Sequence, residues 1–209
     1  FTSSQTDFKK YPFINIEANV LSIPNSRGHF ISFCKKTESS KSVRVVHIGG
    51  SHVQAGVWSN EFVKLLQKYF NTSGGGYFAF PYKIAKTNGQ SFIKFTSTGK
   101  WNVCRALGTY MCEPIGVYPI RLETFDNTFE IGLTINDNSI IKSFNELRIY
   151  HNPGADINLK SKSEILQKKY FNERLGYTEF AFQNEIDSLF FQVDKNNGSA
   201  FLLNGISFE

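Results

Sequence analysis

Methionine, cysteine and long apolar runs are all scarce in this sequence. No apolar run approaches the ~20 residues of a membrane-spanning helix, so we expect no membrane span. One methionine and three cysteines occur among 209 residues. The cysteines and histidines show no C-x-x-C pair and no zinc-type spacing, so we expect no metal site and no cofactor.

The three cysteines leave two interpretations open. Cys104 and Cys112 could form a disulfide if the chain is exported, with Cys34 left as a free thiol. Alternatively, all three are buried reduced thiols.

The net charge of +5 is dispersed along the chain. The densest basic group is Lys168-Lys169, with Lys160 and Lys162 nearby and Glu164 between them. A nucleic-acid surface usually interleaves basic clusters with stacking aromatic residues. We therefore expect a solvated lysine-rich face and no nucleic-acid partner.

The first 90 residues have the pattern of an α/β segment. The spacing predicts a short helix over about 26–38 and a buried strand over the β-branched run 43–48, followed by Gly49-Gly50. After Ser51 an apolar stripe predicts an amphipathic helix that ends near Phe70. The stripe consists of Trp58, Phe62, Leu65, Leu66 and Tyr69.

From about residue 92 onward, apolar residues alternate with polar ones, and turn residues punctuate the chain. The apolar positions are Phe129, Ile131, Leu133, Ile135, Leu147, Ile149, Phe180, Phe182, Leu189, Phe191 and Val193. Such a pattern predicts an antiparallel β-sandwich. Residues 161–175 interrupt it and predict a helical turn or an excursion loop. We therefore predict an α/β segment over 1–90 and a β-sandwich module over 91–209.

Ser51 stands where a buried strand would turn sharply into a helix. There its hydroxyl would be exposed, and the backbone of Gly49, Gly50 and Ser51 would present N–H groups near the helix start, which could stabilise an oxyanion. Hydrolytic α/β enzymes place nucleophiles at such turns. Many other α/β proteins use the same pattern for tight turning or anion binding.

A longer stretch adds a family resemblance. His47-Ile48-Gly49-Gly50-Ser51-His52-Val53-Gln54-Ala55-Gly56, continued by Phe80-Pro81-Tyr82-Lys83 and Lys86-Thr87-Asn88-Gly89, resembles the first block of the SGNH (GDSL-like) hydrolases of the carbohydrate or peptidoglycan O-acetylesterase kind. The resemblance spans about residues 43–90. It implies a partial flavodoxin-like α/β domain followed by an inserted, jelly-roll-like β module that resembles a carbohydrate-binding sandwich.

The resemblance also implies roles for residues. Ser51 would be the nucleophile, its own N–H would be one oxyanion donor, and four residues are candidates to order the turn around it: His47, His52, Gln54 and Asn88. It implies a periplasmic or secreted enzyme whose signal peptide has been removed.

Two departures from the family pattern bear on activity. Gly50 stands where the family has the Asp of G-D-S, and no D-x-x-H pair occurs in the sequence. We therefore expect a remaining catalytic segment of the same protein to supply the activating histidine. His52 directly follows Ser51 and points away along the turn, and His29 or His151 could reach it only through an unexpected fold.

Aromatic residues of the second half are the candidates for contact with a glycan. Trp101, Tyr110 and Tyr118, together with Tyr150, could form a sugar-stacking platform; alternatively they are core residues and ordinary surface tyrosines. The sequence thus favours an esterase that deacetylates a carbohydrate or peptidoglycan through an acyl-serine. The alternatives are a non-catalytic glycan-binding or adaptor protein and a structural exported β protein.

Overall fold

The chain forms two compact units, residues 1–46 and 47–209. The structure is a computed structural model, and it describes residues 10–18, 20, 27–39, 45–71, 76–106, 112–113, 115–137, 139–160, 166–195 and 198–209. The boundary predicted between residues 90 and 91 falls inside the second unit. The segment around Ser51 therefore belongs to the same unit as the strands.

Three helices are present in the described part of the chain. Helix α1 spans Arg27–Ser39, which confirms the helix predicted over about 26–38. The helix predicted after Ser51 is divided into α2 (Ser51–Gln54) and α3 (Val57–Phe70). Gly56, at the N-cap of α3, has a φ of 76°, a left-handed conformation that glycine adopts without steric cost and that separates the two helices.

The buried strand predicted over 43–48 is wrong for its described residues. Residues 45–49 carry no strand, and the side chains of Val46 and Ile48 are 82% and 89% exposed. A parallel strand needs hydrogen-bonding neighbours on its edges. Every strand pair in the described part of the chain is antiparallel, and none includes residues 45–49.

Eleven strands among the described residues form two antiparallel sheets. They are β1 (Tyr77–Ala79), β2 (Ile93–Ser97), β3 (Asn102–Arg105), β4 (Ile120–Thr124), β5 (Thr128–Ile135), β6 (Phe144–His151), β7 (Ala155–Leu159), β8 (Leu166–Asn172), β9 (Tyr177–Ile186), β10 (Ser188–Lys195) and β11 (Phe201–Phe208). The larger sheet has the order β3-β4-β11-β6-β9-β8, with β1 also paired to β11. The smaller sheet has the order β2-β5-β10-β7.

A single apolar core joins the inner faces of the two sheets. Leu147, Ile149 and Phe180 of the larger sheet belong to the same buried cluster as Ile131 and Phe191 of the smaller one. Alternation of buried and exposed positions along the strands produces these inner faces. The predicted antiparallel β-sandwich is confirmed.

The helical turn or loop predicted for residues 161–175 is wrong over most of its described part. Residues 166–172 form strand β8, which pairs with β9 and has a register irregularity between residues 166 and 168. The irregularity breaks the period-two pattern that would have revealed the strand. Residues 161–165 lie outside the described residues.

Candidate functional site

Ser51 is an exposed residue at the first position of α2. Gly50 precedes it in an extended conformation, and its carbonyl oxygen accepts hydrogen bonds from the N–H groups of Val53 (3.0 Å) and Gln54 (3.1 Å). This turn starts the helix. The N–H groups of a helix's first turn have no acceptor within the helix, so those of Ser51 and His52 point out of its N-terminal end.

The two glycines of the turn differ in the space around them. A Cβ atom at Gly49 would lie 2.5 Å from the Cγ2 atom of Val53, whereas a Cβ atom at Gly50 would meet nothing within 4 Å. The backbone of Gly50, with φ −83°, is open to any residue. Gly49 is therefore needed for the close approach to α2, and Gly50 could carry a side chain.

Gln54 connects α2 to the loop that precedes β2. Its Nε2 atom donates a hydrogen bond of 2.6 Å to the carbonyl oxygen of Asn88 and a longer one of 3.5 Å to Thr87 Oγ1. Two of the four residues predicted to order the turn, Gln54 and Asn88, are thus brought together. The contact uses the backbone of Asn88, which a sequence motif cannot reveal.

Helix α3 is connected to the sandwich through Tyr77 of β1. The Tyr77 hydroxyl donates a hydrogen bond to Asn60 Oδ1 (2.8 Å), and its ring packs against Phe92 of the core. Burial raises the pKa of Tyr77 to about 12. The hydroxyl therefore remains a neutral donor at physiological pH.

The histidines near Ser51 have other neighbours. His47 Nδ1 lies 2.9 Å from Ser59 Oγ on α3, and the ring of His52 lies 6.2 Å from the ring of Trp58. Both side chains are exposed. Within the described ranges, no hydrogen bond joins an imidazole to Ser51.

His151, the last residue of β6, is buried in the sandwich. Its Nδ1 atom lies 2.6 Å from the carbonyl oxygen of Asn152, and its Nε2 atom lies 2.8 Å from Thr178 Oγ1. Burial lowers the pKa of this imidazole. Both ring nitrogens of His151 therefore have hydrogen-bond partners within the sandwich, so we assign this histidine a role in the packing of the sandwich. His29, on α1, lies in the other compact unit.

The predicted glycan-contact residues Trp101 and Tyr118 are half-buried and pack against other rings. The ring of Trp101 lies 5.0 Å from that of Phe129, and its Nε1 atom donates to Ser97 Oγ (2.8 Å). Tyr118 packs against Phe80 at 5.6 Å, and burial raises its pKa. Tyr110 lies outside the described residues.

Three other aromatic side chains lie on the outer face of the larger sheet. They are Phe78 of β1, Tyr150 of β6 and Tyr177 of β9, and the ring of Tyr150 lies between the other two at 5.8 and 5.4 Å. Tyr150 was among the sequence candidates, whereas Phe78 and Tyr177 were not. Cross-strand register brings them together, and a single strand's sequence carries no signal of that register.

Two structural features bear on metal and membrane binding. Across the residues that the structure describes, no group of three or more His, Cys, Asp or Glu side chains is arranged to hold a metal ion. No helix in that same part of the chain is long and apolar enough to cross a bilayer.

Comparisons with known proteins find little similarity. No family model matches the chain. No curated protein matches it. A solved structure from work on the multiple functions of the Streptococcus pneumoniae beta-galactosidase BgaA is similar over 53% of this chain and 91% of that chain, at 10% identity and a TM-score of 0.33.

Proposed function

We propose that this chain carries the nucleophile of a serine esterase that removes acyl groups, such as acetyl, from a carbohydrate or peptidoglycan. The observation that carries the proposal is the exposed Ser51 at a helix start, directly after Gly49-Gly50. A hydroxyl there is accessible to an ester, and adjacent N–H groups could stabilise the oxyanion of the tetrahedral intermediate. The block of residues that resembles SGNH hydrolases supports the same role.

The contact between Gln54 and Asn88 supports the proposal independently of Ser51. The two residues belong to the two separate parts of the resembling block, and a 2.6 Å hydrogen bond joins them. In an esterase this bond would fix the last residue of the four-residue helix α2 against the loop that contains Lys86 to Gly89. A fixed turn would hold the nucleophile in one orientation, which lowers the entropic cost of attack.

The proposed reaction has two steps. The Ser51 hydroxyl attacks the ester carbonyl carbon, its proton passes to a general base, and the sugar hydroxyl leaves with a proton, giving acyl-Ser51. Water then attacks the acyl group, releasing the carboxylic acid and restoring the serine. The base would come from a remaining catalytic segment of the same protein.

The apolar stripe of α3 supports the need for such a segment. None of the residues of α3 is buried, and Trp58, Leu65 and Tyr69 are each more than 60% exposed. A contiguous apolar helix face of this kind normally packs against another element. We propose that the remaining catalytic segment covers this apolar face of α3.

The disulfide between Cys104 and Cys112 supports a periplasmic or secreted location. The bond joins β3 to the residue eight positions further along the chain. Disulfides persist in oxidising compartments and are rare in the cytosol. A polymer of the cell envelope would be within reach of a protein in that location.

Ser51→Ala tests the proposal in the full-length gene product that contains this chain. We expect hydrolysis of p-nitrophenyl acetate to fall by about 10³-fold or more, because the acyl-enzyme cannot form. A fluorophosphonate probe should label Ser51, as mass spectrometry of the peptide would report. Ser188→Ala, which alters a hydroxyl on β10, serves as the control and should retain both activity and labelling.

Gly50→Asp gives a second, opposite test. The open space at Gly50 accommodates the aspartate that the family has there, so the variant should fold and should hydrolyse the ester faster than the unmodified protein.

Full turnover by Ser51→Ala, or labelling of another residue by the fluorophosphonate, would remove Ser51 from the mechanism.

A non-catalytic glycan-binding or adaptor protein is the second candidate function. The observation that favours it is the lack of an imidazole hydrogen-bonded to Ser51 in the described ranges, together with the glycine at position 50. Glycan binding by a full-length product that neither turns over esters nor reacts with the fluorophosphonate would favour this function.

A further inference from the structure

Phe78, Tyr150 and Tyr177 form a continuous line of rings on the outer face of the larger sheet. Their chain neighbours Ala79, Ile149 and Thr178 are buried. Because side chains alternate between the faces of a sheet, these rings point away from the core. Phe78 is 41% exposed, and both tyrosines are half-buried beside it.

The strand register explains why the rings adjoin. Tyr150 of β6 lies directly opposite Tyr177 of β9, with ring centroids 5.4 Å apart. Phe78 of β1 lies opposite Ser207 of β11, next to β6, and its ring is 5.8 Å from that of Tyr150. The line therefore crosses four adjacent strands, and it offers stacking surfaces at about the interval of successive sugar rings in an extended pyranose chain.

Hydrogen-bonding groups border the line of rings. The Tyr150 hydroxyl lies 3.3 Å from Ser207 Oγ, and Asn172 Nδ2 donates to the Tyr177 hydroxyl at 3.3 Å. The guanidinium of Arg148 lies over the Tyr177 ring, 5.7 Å from its centre, and occupies part of one face of that ring. A pyranose presents C–H groups on its faces and hydroxyls around its edge. Rings with polar groups beside them match both parts of that chemistry.

The charges on this face select among saccharides. Arg148 contacts three carboxylates: Glu179 at 2.6 Å, and Glu146 and Glu209 each at 3.5 Å. These contacts place three carboxylates beside the rings in the described part of the chain. Carboxylates at this position disfavour the approach of uronate or phosphate groups, so the face suits an uncharged chain.

The ring planes select a single chain over a flat crystalline surface. The planes of Phe78 and Tyr150 differ by 30°, and those of Tyr150 and Tyr177 by 62°. A flat array of sugars could stack on only one of these rings at a time. A single chain can rotate about each glycosidic bond and so follow the change of plane.

We infer that the outer face of the larger sheet, along Phe78, Tyr150 and Tyr177, binds a single uncharged pyranose chain. The sugar rings stack on the three aromatic rings, and their hydroxyls bond to the polar groups of the border. The inference does not rest on the proposed chemistry at Ser51. It places glycan contact on residues other than Trp101 and Tyr118, which pack against the hydrophobic core.

Isothermal titration calorimetry with cellohexaose, xylohexaose, hexa-N-acetylchitohexaose and polygalacturonate tests the inference on the full-length gene product. We expect at least one of the three uncharged hexasaccharides to bind, and polygalacturonate to bind more weakly. Tyr150→Ala and Tyr177→Ala should each weaken binding roughly five- to tenfold, as the loss of one stacking ring predicts. Ser51→Ala should bind as the unmodified protein does, which separates this inference from the esterase proposal.

Phe190→Ala is the matched control. Phe190 is a 48% exposed aromatic residue of β10 on the outer face of the smaller sheet, and its removal should leave affinity unchanged. When the saccharide is added to the unmodified protein, the amide chemical shifts should change in β6, β9 and β11 and not in β5 and β10. This measurement does not depend on the folding of any variant. Failure of all three hexasaccharides to bind, equal weakening by Phe190→Ala, or a dimer that Tyr150→Ala dissociates would overturn the inference.

Discussion

The second unit contains two regions that each have a regular apolar pattern but differ in burial. Helix α3 has an apolar stripe, yet none of its residues is buried. Strands β5, β6 and β9 instead alternate apolar and polar residues with a period of two, and their inward apolar residues are almost completely buried. The difference shows that the spacing of apolar residues determines which face of a helix or strand is apolar. It does not determine whether another element covers that face. In the sandwich each sheet covers the other.

Removal of a buried ring should give the largest difference between these regions. Phe180 of β9 is fully buried, so Phe180→Ala should lower the free energy of unfolding by about 3–5 kcal/mol through lost burial and a residual cavity. Phe62→Ala in α3 removes the same atoms from a 42% exposed position. In this 209-residue chain, without the segment proposed to cover α3, it should change the free energy of unfolding by less than about 1 kcal/mol. Urea unfolding of both variants measures the difference. Equal losses would mean that α3 is covered as the sandwich strands are.

The disulfide provides the next smaller contrast. Cys104 and Cys112 close a loop with a sequence separation of 8, so Cys112→Ser should cost about 2.5 kcal/mol through the entropy of the unfolded chain. Cys34→Ser, at the free, half-buried thiol of α1, should cost less than about 1 kcal/mol. Urea unfolding without reductant tests both variants. An unchanged midpoint for Cys112→Ser would show that the bond does not constrain the unfolded chain.

Much of the sandwich could be predicted from the sequence because its signals are local. The alternation from Phe129 to Ile135 lies within β5, and that from Leu189 to Val193 lies within β10. Turn residues such as Asn152-Pro153-Gly154 separate β6 from β7. Each of these patterns occupies a few consecutive residues, so no knowledge of distant partners is needed.

The predictions that failed depended on partners far away in the chain. A β-branched run such as 43–48 becomes a strand only where another strand hydrogen-bonds to it, and composition does not reveal that neighbour. For the same reason the line of Phe78, Tyr150 and Tyr177 could not be predicted. It depends on how β1, β11, β6 and β9 pair, whereas the Ser51 turn depends on consecutive residues and could be located.

The imidazoles offer a third contrast between the two regions. His52 of α2 is exposed, whereas His151 of β6 is buried with both ring nitrogens engaged. Because the carbonyl oxygen of Asn152 can only accept, Nδ1 of His151 donates to it, and the Thr178 hydroxyl donates to Nε2. Protonation of Nε2 would replace that acceptor by a second donor and would place a charge in the core.

The contrast predicts that stability falls in mild acid through His151. Burial lowers the pKa of His151 in the folded protein below its unfolded value of about 6.5. Well above pH 6.5 the ring is neutral in both states and the free energy of unfolding does not depend on its protonation. As the pH falls through 6.5 towards the folded pKa, the unfolded state binds the proton first, and the free energy of unfolding decreases. Urea midpoints at pH 7.5 and 5.5 should therefore differ by less in His151→Gln than in the unmodified protein, whereas His52→Gln should keep the full difference. If His151→Gln retains the same pH dependence, the buried imidazole is not its source.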